Sequence, residues 1–420
     1  MAGGGCSLSS SGGEGRGEEA VSRIEKKQTR NAAMKANLLS VLAVLLLAPL
    51  APSPAAEAAP PVRKPNLIFI LADDLGYGDV RCLNPQRGKI PTPNLDRLAA
   101  QGMTFTDMHS GASVCTPTRY GVLTGRYAWR SRLQRGVLDG YVPPLIAADR
   151  LTLPELLKQQ GYHTACLGKW HLGFTIEGAG KNGGKQKAVQ AGAGKFAGAP
   201  LASRTADGPT TRGFDYFYGF HHARMMESVF ENDRVVEMVK PVDMLPKLAR
   251  RAAESITKQS KTGQPFFLCL TDFMATAADL LGATLPATAA EDSFSFLPEL
   301  LGTGHTKREA IVHHSIQGRF SIRQGPWKLE LCPGSGGWAA PRDADARKRK
   351  LPELQLYNLA DDIGEKQNLQ SARPDVVQRL TALLEKTVTN GRSTPGPAQH
   401  NDGPVDIHKT NAQALTSEAP

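Results

Sequence analysis

Two adjacent carboxylates, Asp73 and Asp74, follow directly after an apolar run from Asn66 to Leu71. Such a run is typical of a strand that is buried on both faces of a sheet. In open α/β sheets, ligands bind at the carboxyl ends of the strands. Two neighbouring carboxylates are costly to desolvate without a cation, so a site for a hard divalent ion, Ca²⁺ or Mg²⁺, is one interpretation. A solvated turn that caps a helix is the other.

The segment Cys115–Arg119 is a second candidate site, with the sequence Cys-Thr-Pro-Thr-Arg. Its proline predicts a helix start, where free N–H groups favour a charged or oxygenated form of the cysteine side chain. Arg119 lies one helical turn later on the same face and can hold an anion there. A lone cysteine is more often a buried structural residue, and the residues alone leave that alternative open.

The elements around these residues alternate between strands and helices. Because such alternation produces parallel sheets, the sequence predicts an α/β fold with a mostly parallel central sheet. Beyond residue 305, short antiparallel strands and an amphipathic helix over 374–388 predict a small C-terminal α+β subdomain. Three helices are predicted: one from Thr92-Pro93 to Gly102, one that follows a capping box at Thr152 and Glu155 and ends at Gly161, and one over 272–281. Strands are predicted over 103–108, 162–167 and 264–270.

Composition excludes several other classes of protein. The chain has 420 residues, 40% of them hydrophobic and 21% charged, which is typical of a globular protein. Six scattered cysteines without a Cys-x-x-Cys pair exclude a disulfide-dense scaffold and argue against structural zinc. The formal net charge is +10, but no dense basic run with interleaved aromatic residues indicates nucleic-acid binding.

Both termini differ from the middle of the chain. Residues 1–33 are polar and predict a disordered extension, or a mis-assigned start if translation begins at Met34. The apolar run that follows, within 34–58, is typical of a signal peptide and predicts a periplasmic or secreted protein. A genuine extension that leaves a membrane-anchored protein is the alternative. The polar residues 393–420 predict a disordered tail.

The segment Cys115–Arg119, together with the Thr-Gly-Arg that ends at Arg126, resembles the activation motif of the type I, formylglycine-dependent sulfatases of the arylsulfatase kind. Further similar segments cover roughly residues 63–390: Pro65–Asp79, Gly168–Gly173, Gly213–Gly219, Leu356–Leu359 and Glu365–Leu369. The resemblance implies an alkaline-phosphatase-like sulfatase sandwich. It places a catalytic domain at 63–304 and the C-terminal subdomain at 305–392.

The resemblance also implies a reaction. Cys115 would be converted to formylglycine, whose hydrated aldehyde attacks the sulfur of an aryl or carbohydrate sulfate ester. The substrate would be a sulfated small molecule or a sulfated polysaccharide. A formylglycine-generating enzyme would recognise Cys115–Arg119 as a partner protein.

Individual roles follow from the same resemblance. Asp73 and Asp74 match ligands of Ca²⁺, with Mg²⁺ as an alternative, and Cys115 also contacts the metal. Arg119 matches the arginine that steadies the formylglycine hydrate. Lys169 and His171 match residues that contact the sulfate and the gem-diol. Cations at these positions would stabilise the negative charge that develops on the sulfate oxygens.

One part of the family pattern is missing. The second half of the metal site is an Asp-Asn pair, and the chain contains no Asp-Asn dipeptide. We therefore expect an internal deletion near 268–271 and a truncated central sheet. A catalytically impaired pseudoenzyme or truncated gene product with little sulfatase activity is the alternative to an active enzyme. A phosphatase or phosphodiesterase of the same superfamily is a third interpretation.

Overall fold

The computed structural model describes residues 64–177, 198–269, 274–306 and 308–409. The predicted extension at 1–33 and signal peptide at 34–58 lie outside these residues, as do residues 270 and 271 at the end of the predicted junction. In the part of the chain that is described, no helix is long and apolar enough to cross a membrane.

Six strands of the described residues form the larger sheet: β1 (Leu67–Ile68), β2 (His163–Lys169), β3 (Tyr216–Phe220), β4 (Ser228–Glu231), β5 (Arg234–Met238) and β6 (Phe266–Cys269). Their order is β1-β6-β2-β3-β4-β5. The first four in that order run parallel, and the last two add antiparallel pairings. This confirms the predicted α/β fold with a mostly parallel sheet.

Helices cover both faces of this sheet. Because successive side chains of a strand point to opposite faces, each strand packs against both layers of helices. Cys166 on β2 points into a core formed with α2, α3 and α5. Its neighbours Ala165 and Leu167 point the other way, towards Met244 of α4. The helices of the described residues are α1 (Pro93–Gln101), α2 (Cys115–Thr124), α3 (Leu153–Gln159), α4 (Pro241–Ser260), α5 (Met274–Leu281), α6 (Leu297–Leu301), α7 (Asp343–Lys348) and α8 (Pro374–Thr389).

Local signals account for the helix starts. The capping box before α3 forms as predicted: the Thr152 N–H donates to Glu155 at 2.9 Å, and the Glu155 N–H donates back to the Thr152 hydroxyl at 3.4 Å. Helices α1 and α8 begin at prolines, which have no N–H to leave unpaired.

The smaller sheet is antiparallel and has the order β10-β9-β8-β7. Its strands are β7 (Ile311–His314), β8 (Phe320–Gln324), β9 (Trp327–Glu330) and β10 (Gln355–Asn358). Leu380 and Leu384 of α8 pack on it, which confirms the predicted C-terminal α+β architecture. Trp129, from the first half of the chain, lies edge-on against Phe320 in the same core.

Two strand predictions are wrong. We expect β1 to be buried on both faces, yet it lies at the sheet edge and Ile68 is 47% exposed. Residues 103–108 form no strand, and Met103 and Met108 are exposed. Both segments have the apolar composition of buried strands. However, no described strand pairs with the second side of β1 or with residues 103–108.

The C-terminal segment also differs from the sequence prediction. Residues 393–409, part of the predicted disordered tail, pack against the folded domain. The Arg126 guanidinium donates to Asp402 at 3.0 Å, and that of Arg130 donates to Asn401 at 3.0 Å. Both arginines are fully buried, so the tail supplies acceptors that these charges require.

Candidate active site

The carboxyl ends of β2 and β3 lie side by side, and they define one edge of the candidate site. Lys169 is in register with Phe220. Beyond the strands the pairing continues, since the His171 N–H donates to the His221 carbonyl at 2.8 Å. Gly219 allows this close approach, because a Cβ at that position would lie 1.9 Å from the Gly168 oxygen.

The start of helix α2 is attached to the end of β2. Cys115 is the first residue of the helix and is half-buried. The next residue, Thr116, is fully buried, and its hydroxyl donates to the His171 carbonyl at 3.1 Å. One turn further on, the Arg119 guanidinium donates to the Lys169 carbonyl at 2.6 Å. These bonds hold Cys115 beside the Lys169–His171 segment.

Three of the residues singled out from the sequence meet at one point. The Lys169 ammonium lies 2.8 Å from an Asp73 carboxylate oxygen, and the Arg119 guanidinium lies 3.6 Å from the same oxygen. The side chains of Lys169 and Arg119 are each 8% exposed, whereas that of Asp73 is 40% exposed. Two largely desolvated cations therefore face one accessible carboxylate. Asp74 is exposed and has a left-handed backbone, with φ of 61°.

His171 is a neutral hydrogen-bond acceptor at this edge. Its Nε2 lies 2.7 Å from the Leu138 carbonyl, which can only accept, so Nε2 carries the proton. Burial, with the nearby His222 and Lys169, lowers the pKa of His171 to about 2. Nδ1 therefore keeps its lone pair, and no described residue hydrogen-bonds to it. This nitrogen is buried, so only a group that enters the site could donate a hydrogen bond to it.

Two further histidines belong to the site and were missed from the sequence. His222 packs edge-on against His171, with ring centroids 4.3 Å apart. Its Nδ1 accepts from the Arg224 N–H at 2.9 Å, and its Nε2 lies 4.0 Å from Asp139. His221 Nε2 lies 2.5 Å from the Gly140 carbonyl, and burial lowers the pKa of His221 to about 4. The available signal was a pair of polar residues directly after an apolar strand.

The described residues do not form a complete cation site. Among them, no group of three or more His, Cys, Asp and Glu side chains could hold a metal ion. As ligands of Ca²⁺, Asp73 and Asp74 would supply at most four of the 6–8 oxygen atoms that this ion usually takes. Asp73 is already neutralised by Lys169, which removes much of the attraction for a cation.

Solved structures share this fold. A sulfatase of Bacteroides thetaiotaomicron from glycosaminoglycan metabolism superposes with a TM-score of 0.64 and 22% sequence identity, covering 77% of this chain and 99% of that one. A sulfatase from Pseudoalteromonas sp. superposes with a TM-score of 0.60 and 17% identity, covering 79% and 92% of the two chains. At this level of identity the likeness concerns the fold.

Curated proteins are similar in sequence over different spans. An N-acetylgalactosamine-6-O-sulfatase of Bacteroides thetaiotaomicron is 43% identical over 116 residues, which are 28% of this chain and 22% of that protein. Arylsulfatase A of Homo sapiens is 26% identical over 468 aligned positions, covering 80% of this chain and 90% of that protein. Since 80% of 420 residues is about 336, more than a hundred of those positions have no counterpart in this chain.

The family model named Sulfatase matches residues 65–274, which is half of the chain. The matched residues include the edge strand β1, helix α2 and strand β2. The chain therefore belongs to the sulfatase family.

Proposed function

We propose that this chain hydrolyses sulfate esters at the site where helix α2 begins. The observation that supports this best is the pair of desolvated cations, Arg119 and Lys169, within 3.6 Å of one oxygen of Asp73. A binding site for a sulfate group needs such cations, because sulfate accepts charge-assisted hydrogen bonds on several oxygens. Membership of the sulfatase family agrees with this chemistry.

Cys115 is proposed to act after conversion to formylglycine, which supplies a hydroxyl nucleophile towards sulfur. Arg119 and Lys169 then hold the non-bridging sulfate oxygens, where negative charge increases in the transition state. The neutral His171 accepts a hydrogen bond at Nδ1 from the attacking hydroxyl, and the proton of that hydroxyl passes to water as its oxygen bonds to sulfur. The bond between sulfur and the alcohol oxygen breaks as the new bond forms, and the departing alkoxide takes a proton from water. The second hydroxyl of the hydrate then loses its proton and forms the carbonyl, which expels sulfate.

The proposed modification must precede folding. Thr116, Pro117 and Arg119 are buried in the folded chain, so a formylglycine-generating enzyme that reads Cys115–Arg119 needs this segment extended and accessible. We propose export through the leader at 34–58 as the accompanying step, since an exported chain is unfolded while it crosses the membrane.

A divalent cation, Ca²⁺ or Mg²⁺, would contact Asp73 and Asp74. These two carboxylates do not make a full coordination shell, so the proposed steps rely on Arg119 and Lys169 for positive charge. Any cation at this edge would be held weakly.

The test is turnover of 4-nitrophenyl sulfate by full-length protein that is co-expressed with a formylglycine-generating enzyme. Mass spectrometry of the peptide that contains Cys115 first establishes conversion. We expect sulfate release that drops by at least about 10²-fold in Cys115→Ala and in Arg119→Met, because each removes a group that acts on the transition state. Cys82→Ala, which alters an exposed free cysteine, is the matched control.

Two outcomes would contradict the proposal. Converted protein that releases no sulfate would indicate a non-enzymatic member of the family. Faster turnover of 4-nitrophenyl phosphate than of the sulfate would indicate a phosphatase.

A further inference from the structure

The Asp73 carboxylate lies between Arg119 and Lys169, at the position that a sulfate oxygen would take. One Asp73 oxygen is 2.8 Å from the Lys169 ammonium and 3.6 Å from the Arg119 guanidinium. A sulfate oxygen that contacts both cations would lie at the same point, and two anionic groups so close together repel each other. Asp73 and a sulfate group therefore compete for the same two cations.

These cations need an anionic partner even in the absence of a sulfate group. The side chains of Lys169 and Arg119 are each 8% exposed. Charges that have lost most of their water are costly when they are unpaired, so a carboxylate beside them stabilises the folded chain. Asp73 supplies that carboxylate from within the protein.

The two sides of the ion pair are held with different firmness. Lys169 ends β2, in register with Phe220 of β3, and its carbonyl accepts from the Arg119 guanidinium at 2.6 Å. Residues 72–79, by contrast, are all exposed, and the strand before them lies at the sheet edge. An incoming anion would therefore displace Asp73 and leave the two cations in place.

A role as a metal ligand is the alternative for Asp73. That role fits the described residues poorly, since no group of three or more of their His, Cys, Asp and Glu side chains could hold a metal ion. The Asp-Asn pair that would complete such a site is missing from the sequence. The ion pair with Lys169 is the contact of Asp73 that the structure does show.

We propose that Asp73 is an internal competitor of the sulfate group, which keeps Arg119 and Lys169 paired until a sulfate ester displaces it. Only molecules in which Asp73 has moved away bind sulfate, so the apparent affinity is reduced in proportion to their fraction. This inference deepens the proposed sulfate-ester hydrolysis and rests on it for the identity of the anion. The exchange of one anion for another can be measured by binding alone.

The experiment measures binding of inorganic sulfate to full-length Asp73→Asn protein by isothermal titration calorimetry, in chloride buffer freed of divalent cations. We expect the dissociation constant to fall at least about 10-fold relative to the unaltered chain, because one charge-assisted contact no longer has to be broken. Adding Arg119→Met should abolish this gain. Asp79→Asn is the matched control, since it removes the same charge from the same exposed segment, and it should change the affinity by less than about 2-fold.

Melting temperatures separate competition from a purely structural role. Without sulfate, Asp73→Asn should melt below the unaltered chain, because two desolvated cations lose their partner. Sulfate should then raise the melting temperature of Asp73→Asn by more than that of the unaltered chain. An Asp73→Asn protein that folds only in the presence of sulfate would show the same exchange. One that is destabilised or unfolded with and without sulfate would show that Asp73 is structural and would overturn the inference.

Other results would also overturn it. Unchanged sulfate affinity in Asp73→Asn, or no binding to either protein, would show that sulfate does not take the place of Asp73. Weaker binding that depends on added CaCl₂ would indicate a metal ligand. Turnover of 4-nitrophenyl sulfate without a gain in sulfate affinity would reject only the competition. A gain in affinity without turnover of any sulfate ester would reject only the proposed reaction.

Discussion

The segments 64–110 and 111–173 both carry residues of the candidate site, but they are packed very differently. No residue of 64–110 is fully buried, and large apolar side chains such as Ile70, Ile90 and Leu98 are exposed. In the second segment, helix α2 alone buries seven of its ten residues. Asp73 and Asp74 belong to the exposed segment, whereas Arg119, Lys169 and His171 belong to the packed one.

This contrast shows that the candidate site has a firmly held half and a weakly held half. Arg119 and His171 are positioned by hydrogen bonds to backbone carbonyls. Among the described residues, strand β1, which precedes Asp73, pairs on one side only, through Leu67 and Ile68 with β6. A motif therefore specifies which side chains are available, while packing partners elsewhere in the chain decide how rigidly they are held.

The largest effect is expected at one of two residues that lie side by side on the neighbouring strands β1 and β6. Ile68 and Leu268 are register partners, but Ile68 is 47% exposed and Leu268 only 5%. We expect Leu268→Ala to lower the free energy of unfolding by about 2–5 kcal/mol, because it leaves a cavity in the core. Ile68→Ala should lower it by less than about 1.5 kcal/mol. Urea denaturation measures both, and equal losses would break the comparison.

A medium effect is expected from pH. His221 is fully buried with a pKa of about 4, below its value of about 6.5 in the unfolded chain. The unfolded state therefore binds the proton first, and stability falls as pH drops from 6.5 towards 4. At pH 5 this one group should lower the free energy of unfolding by about 2 kcal/mol relative to pH 7.5.

The matched variants for this pH effect are His221→Gln and His305→Gln. Glutamine at 221 keeps a donor for the Gly140 carbonyl but does not titrate, so the loss of stability between pH 7.5 and 5 should shrink. The exposed His305 should leave the pH dependence unchanged. Unfolding curves at both pH values decide the matter, and identical pH dependence in the two variants would count against the assigned role of His221.

The smallest effect is expected at the exposed carboxylates. Because Asp73 and Asp74 are accessible and too few to enclose a cation, millimolar CaCl₂ or EDTA should move the melting temperature by less than about 2 °C. Asp74→Asn should change the free energy of unfolding by less than about 0.5 kcal/mol, since asparagine also tolerates a left-handed backbone. A calcium-dependent rise of several degrees that Asp74→Asn abolishes would falsify this expectation.

Features with local signals could be predicted from the sequence. The capping box of α3, the proline starts of α1 and α8 and the strand–helix alternation all depend on neighbouring residues, and all appear in the structure. The exposure of β1 and the absence of a strand at 103–108 could not be predicted, because an apolar run does not specify whether a partner strand exists.

In the candidate site too, local motifs could be predicted from the sequence, whereas contacts between distant segments could not. The positions of Arg119 and Lys169 follow from short motifs, and the structure brings both to Asp73. His221 and His222 join the site only because β3 lies beside β2, a pairing between segments about 50 residues apart. The anchoring of Asn401 and Asp402 by Arg130 and Arg126 spans more than 270 residues and leaves no local trace.

The one-sided pairing of β1 also sets an order of events during synthesis. The Asn66 side chain accepts from the Phe266 N–H, 200 residues further along the chain. The first strand thus leaves the ribosome long before its only described partner exists, and closing so long a loop is slow. Until residue 269 has been synthesised, Leu67 and Ile68 lack the strand with which they pair in the structure, and such exposed apolar segments favour aggregation of an incomplete chain.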